Sequence, residues 1–281
     1  MKYFIKHYIC PVIYIFFFIT KKFFFKKKYQ FRIIMYHDVK KKNLALLYNQ
    51  LAELKNNWRF IHPKELATFS KKNYIIKENL LLLTVDDGFF SSKLIATKVL
   101  EKLNIKGIFF CVTNFLDIKN RDDALNFSVN RIKLIPEDKN SKKINMDWND
   151  AKFLLKKGHS IGAHTITHQK LSELNDNKKI REEIIKPKNI MRNKLGVKIK
   201  HFAFTFGDIT CFDPKSYLIA KKNYNYVFSA VRGNNYKKTN RYFYYRDELN
   251  PLYSANLVNF FLNGLSFLFY YFVDKKFLKY K

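Results

Sequence analysis

Short apolar runs alternate with amphipathic segments along most of this 281-residue chain, and no other feature constrains the fold as much. FRIIMY (31–36), NLLLLTV (79–85), KGIFFCVT (106–113), HSIGAH (159–164), KHFAFTFG (200–207), YVFSAV (226–231) and YFYYR (242–246) read as strands. Helices are predicted between them. Leu44, Leu47, Leu51 and Leu54 recur at helical spacing within 43–57; further helices cover 91–104, the stretch from an Asp147 cap to Gly158, 176–195, and Pro214 to Lys222. The polar, irregular segment 119–143 reads as a loop insertion. Strand–helix–strand repetition implies parallel strands joined by right-handed crossovers, with the C-terminal ends of all strands on one rim.

That rim carries the chemistry. LLTVDDG (82–88) ends a buried apolar run on two adjacent carboxylates, Asp86 and Asp87, and neighbouring acids at the end of such a strand repel unless a cation makes them tolerable. His164-Thr-Ile-Thr-His168 supplies two imidazoles at a four-residue spacing that lets both reach one ion. One carboxylate and two imidazoles suit Zn²⁺ or another divalent transition metal and leave a coordination position open. The second carboxylate is then placed to act as a general base. Either motif alone is common in turns; the pair, each at a strand end, points to a hydrolytic metal centre.

Composition excludes less than the charge suggests. The formal net charge is +30, but Lys, Asn, Ile, Phe and Tyr are abundant together while Gly and Pro are scarce, so much of the lysine is read as solvated surface. No nucleic-acid partner is expected, because no recognition motif accompanies the charge. The three cysteines, Cys10, Cys111 and Cys211, are odd in number and far apart, which excludes a disulfide scaffold.

With these motifs in place, the chain resembles the polysaccharide deacetylases, the NodB-homology carbohydrate esterases. The family motifs T-F-D-D-G and H-[ST]-x-x-H stand here as Thr84-Val-Asp-Asp-Gly88 and His164-Thr-Ile-Thr-His168, and the likeness extends over about 31–250. MYHDV (35–39) is similar to a segment of the poly-N-acetylglucosamine deacetylases. The resemblance implies an α/β fold, a distorted (β/α) barrel of about seven parallel strands. It also implies metal-dependent removal of acetyl groups, N-acetyl in the first instance, from a sugar of a polysaccharide or lipid-linked glycan. By that likeness Asp86 is the base, Asp87, His164 and His168 hold the metal, the Phe206 N–H is the oxyanion donor, and Arg246 keeps Asp86 ionised. The third motif departs from the family: Thr205 stands where proline is expected, which predicts a less rigid loop. No histidine follows His201, so the usual late acid is absent and His37 is the substitute general acid or substrate contact. These departures keep a second reading open, a non-catalytic carbohydrate-binding protein on the same barrel. His159 and His201 read as satisfied core or edge residues, and His62, before a proline, as part of a turn.

Both ends are aromatic and basic. The apolar stretch Tyr8 to Ile19 is shorter than the ~20 residues of a spanning helix and contains Pro11, so residues 1–28 are read as a membrane-associated segment, an uncleaved anchor or a helix lying in the interface. The catalytic domain is assigned to 29–250 and a helical aromatic segment to 251–281, with Leu257 to Val273 packed on the domain or in the interface. The Lys21, Lys22, Lys26, Lys27 and Lys28 cluster favours the cytoplasmic face of a bacterial inner membrane, the extracytoplasmic face being the alternative. An acetylated glycan or glycolipid and a membrane surface are the expected partners.

Overall fold

The apolar runs fold as strands covered on both sides, as continuous rather than alternating hydrophobicity requires of a parallel sheet. The structure is a computed structural model, and it describes residues 5–24, 29–69, 74–138, 140–236 and 243–265. The strands are β1 (Phe31–Tyr36), β2 (Arg59–Phe60), β3 (Leu80–Val85), β4 (Gly107–Cys111), β5 (Ser160–Ala163), β6 (His201–Ala203), β7 (Tyr226–Phe228), β8 (Phe243–Tyr244) and β9 (Asp247–Glu248). Their order is β8-β7-β6-β5-β4-β3-β1-β9, with β2 also on β3, and every pairing is parallel. The seven expected runs all contribute; β2 and β9, two residues each, are additions too short to leave a periodic signal.

Side-chain alternation separates two cores. Phe31 and Ile33, Leu80 and Leu82, Ile108 and Phe110, with Ala203, Phe228 and Tyr244, form the cluster enclosed by the curled sheet. The alternate residues, among them Ile34, Leu81, Leu83, Phe109 and Phe202, pack outward beneath the helices. Leu80, Leu82, Thr84 and Asp86 thus share one parity, which delivers Asp86 to the inner side of the rim. Gly162 of β5 is needed inside: a Cβ there would lie 2.5 Å from the Phe110 ring.

The barrel closes without a ladder. β8 is one edge of the sheet and β9 the other, yet only Tyr245 and Arg246 separate them in the chain. Asn235 bridges the seam with its side chain and its backbone N–H. Tyr245 N–H donates to Asn235 Oδ1 at 2.9 Å, Asn235 Nδ2 donates to the Tyr245 carbonyl at 2.9 Å, and the Asn235 N–H donates to the Phe31 carbonyl at 2.7 Å.

The predicted helices appear at Leu44–Leu54, Phe90–Ile95 (continued by a π-turn, Ala96–Leu100), Trp148–Lys156, Asn177–Leu195 and Pro214–Asn223. Asp147 caps its helix with a reciprocal bond from its own N–H to Asp150. The expectation of a loop over 119–143 is corrected: Arg121–Phe127 is a helix capped by Asn120, followed by a π-turn, Ser128–Ile132. At the N-terminus a π-turn, Ile5–Ile9, leads into the helix Cys10–Phe24, which packs on the helix Ala255–Leu262. Among the described residues no helix is long and apolar enough to cross a membrane. Lys26, Lys27, Lys28 and the part of the expected C-terminal helix beyond Leu265 lie outside the described residues.

Candidate metal centre

Each predicted site residue lies just past a strand end: His37 after β1, Asp86 and Asp87 after β3, His164 after β5, Phe206 in the turn after β6, and Arg246 in the link between β8 and β9. His168 closes the turn that His164 opens. All seven line one cleft of about 240 Å³.

Asp87 Oδ1 lies 3.5 Å from His164 Nε2 and 3.4 Å from His168 Nε2. These separations are long for hydrogen bonds. They match a tetrahedral ion instead: bonds of about 2.0–2.1 Å place its ligand atoms about 3.3–3.4 Å apart. The outer nitrogens fix the tautomers. His164 Nδ1–H donates to the Ala203 carbonyl at 2.8 Å and His168 Nδ1–H to the Arg131 carbonyl at 3.2 Å, because a carbonyl can only accept. Both Nε2 lone pairs are therefore left for a cation, with the carbonyls acting as the outer support such ligands need. All three residues are buried. Burial pushes the Asp87 carboxyl up, but the imidazoles of His164 and His168 and the charge of His37 outweigh it and hold the group well below the usual carboxylate range. The donor set fits Zn²⁺ or a similar borderline ion.

Asp86 is held differently. Arg246 Nη1 donates to its Oδ1 at 2.7 Å, while Oδ2 faces His164 Nε2 at 3.9 Å. The guanidinium is itself fixed: Nε donates to the Ser229 carbonyl at 2.7 Å, Nη1 reaches Thr84 Oγ1 at 3.3 Å, and Phe110 lies beneath it at 5.2 Å. His37 is at the cleft mouth, with Nδ1 3.7 Å from Glu248 Oε1.

The backbone of the site is strained. Asp87, Thr165, His168 and Phe206 have φ of 75°, 62°, 60° and 58°, a region that costs side-chain-bearing residues roughly 1–3 kcal/mol each. The compensations are visible. Glu183, buried on its helix, accepts from the Ile166 and Thr167 N–H groups at 3.0 Å each and from Thr167 Oγ1 at 2.7 Å, clamping the turn between the histidines. At the third motif Gly207 (φ 63°) approaches Ala230 so closely that a Cβ would lie 2.6 Å from its nitrogen. Thr205, expected to loosen this loop, is buried and donates to the Gln169 carbonyl at 2.5 Å, tying the loop to the residue after His168. Among the described residues the Phe206 N–H has no protein acceptor.

The corrected 119–143 segment supplies residues the sequence did not single out. Ile132, Lys133 and Leu134 wall the cleft, and Arg131 supports His168. Asp38 fastens this wall, accepting from Glu137 N–H at 2.5 Å and from Ser91 Oγ. The Asn120 cap with Asp122 and Asp123 in the first turn was the available signal for its helix. His62 caps the 3-10 turn Pro63–Glu65 as its position before proline suggests. His159 and His201 are buried, but they are not fully satisfied: His159 Nδ1 accepts from Gly107 N–H, while both Nε2 atoms lack partners.

A family model described as polysaccharide deacetylase matches residues 75–227, just over half of the chain. No curated protein matches the chain. Among solved structures, the fold is similar to the Streptococcus pyogenes deacetylase PplD in complex with acetate, with 17% identity, a TM-score of 0.65, and coverage of 84% of this chain and 99% of that one. It is similar to IcaB from Ammonifex degensii at 19% identity and a TM-score of 0.64, covering 85% and 99%. A de-N-acetylase from Aggregatibacter actinomycetemcomitans superposes with a TM-score of 0.62 at 13% identity, covering 82% and 99%. At these identities the structural likeness is one of fold.

Proposed function

The chain belongs to the polysaccharide deacetylase family, amide hydrolases of acetylated sugars, and from that premise we propose that it deacetylates a sugar of a polysaccharide or lipid-linked glycan. N-acetyl is the group assigned. The single observation that carries the reading is the triangle of Asp87 Oδ1 with His164 Nε2 and His168 Nε2, spaced for one divalent ion. Such an ion, when held by these three residues, supplies Lewis acidity toward the acetyl carbonyl.

The remaining steps belong to the protein. Asp86, held in place by Arg246, takes a proton from the water whose oxygen attacks the acetyl carbon. The Phe206 N–H, aimed by its left-handed conformation and free of a protein acceptor, stabilises the developing oxyanion. As the C–N bond breaks, His37 delivers a proton to the leaving amine, and acetate departs.

Acetate release from acetylated glycans, with and without chelator, tests the proposal. Chelation should abolish release and Zn²⁺ restore it, while Asp86→Asn should lower turnover by about 10²–10⁴-fold. Undiminished release from D86N would reject the assignment of the base. Glycan retention by the wild-type chain with no acetate release under any divalent metal would support the carbohydrate-binding alternative.

A further inference from the structure

The N-terminal helix buries one face and presents another. Cys10 is buried, and Ile5, Ile13 and Tyr14 pack against the main core, while Tyr253 holds the start of the segment through a hydrogen bond from Lys6 and an edge contact with His7. Tyr8, Ile9, Val12, Ile15 and Phe16 are 59%, 40%, 63%, 45% and 71% exposed. At 3.6 residues per turn Val12, Ile15 and Phe16 share an arc of about 100° on the helix, and Tyr8 and Ile9 are exposed on the π-turn that leads into it. A chain that merely covered its core with this helix would have polar residues there.

We propose that this stripe is a docking surface for an anionic lipid bilayer, on which the helix lies in the plane of the interface. Charge commits the surface to that occupant. No Asp or Glu precedes Asp38, whereas Lys21, Lys22, Lys26, Lys27 and Lys28 follow the stripe in the sequence. An apolar stripe followed by a run of cations meets acyl chains along its length and lipid phosphates with its basic flank. A second copy of the chain would instead bring two sets of lysines together. Lying flat is also the mode its length permits, since no described helix can cross a membrane. The surface is mechanically close to the chemistry, because Tyr253, which holds the helix, follows Glu248 of the cleft wall by five residues.

Flotation of the full chain with vesicles decides the matter. With vesicles of about one-third phosphatidylglycerol in phosphatidylcholine, the wild type should float, and its partitioning should fall about tenfold or more on pure phosphatidylcholine or when salt is raised from about 0.1 to 0.5 M. Val12→Asp with Phe16→Asp should cause a similar loss while circular dichroism is unchanged, and K21Q/K22Q should weaken binding to the anionic vesicles alone. Failure of the wild type to float, or equal flotation of V12D/F16D, would overturn the proposal. So would a wild-type dimer in light scattering that V12D/F16D converts to monomer, since the stripe would then belong to a second copy.

Discussion

Arg246 is fully buried and spends its guanidinium on three oxygens, those of Asp86, Thr84 and Ser229. Removing it strands a buried carboxylate, so Arg246→Met should cost about 3–5 kcal/mol in urea unfolding and eliminate acetate release. Arg246→Lys keeps the charge but not the fork, and should recover part of the stability and little of the turnover. At this scale the acids and imidazoles were legible because each pair is contiguous or nearly so in sequence, and strand-end placement brings them together. Glu183, Asp38 and the Arg131 carbonyl were not. Their roles depend on partners far along the chain or on backbone atoms, and neither leaves a pattern that side-chain spacing can report. Thr205 was legible as a departure but not in its effect, because its hydroxyl replaces a ring constraint with a bond to Gln169.

The strands were readable as elements because burial on both faces makes them uninterrupted apolar runs. Their ends were less so: 200–207 reads as one run, but β6 stops at Ala203 and the rest turns through the left-handed Phe206 and Gly207. The insertion was misread because its charged composition resembles a loop, although Asn120 begins a helix. Pro187 sits inside Asn177–Leu195, where it cannot donate to the carbonyl of Glu183, yet the helix continues because Ile180, Ile184 and Met191 bury one side. Gly162 gives the element scale its test. Gly162→Ala places a methyl against Phe110, the ring beneath Arg246, and should lower stability by about 1–3 kcal/mol, read as a lower urea midpoint with unchanged m-value.

Acid response belongs to the whole molecule. Burial, reinforced by nearby lysines, lowers His159 to about 4 and His201 to about 3. The unfolded chain takes up these protons near pH 6.5 and the folded chain does not, so their contribution is present above pH 6.5 and is lost as pH falls toward about 4 for His159 and about 3 for His201. Melting temperature should decline over that window, and His201→Phe, which keeps the stacking on Tyr226, should flatten the decline. A melting curve as steep in H201F as in wild type would place the acid sensitivity elsewhere.

The seam between β8 and β9 has a consequence of its own. The joint is pinned by a single asparagine, a fastening weaker than a continuous ladder, and the arginine that steadies Asp86 sits in the two residues spanning it. Warming should therefore loosen this hinge before the rest of the sheet gives way. Asn235→Ala should bring that moment forward, so that turnover fades at temperatures where far-ultraviolet dichroism still reports an intact molecule.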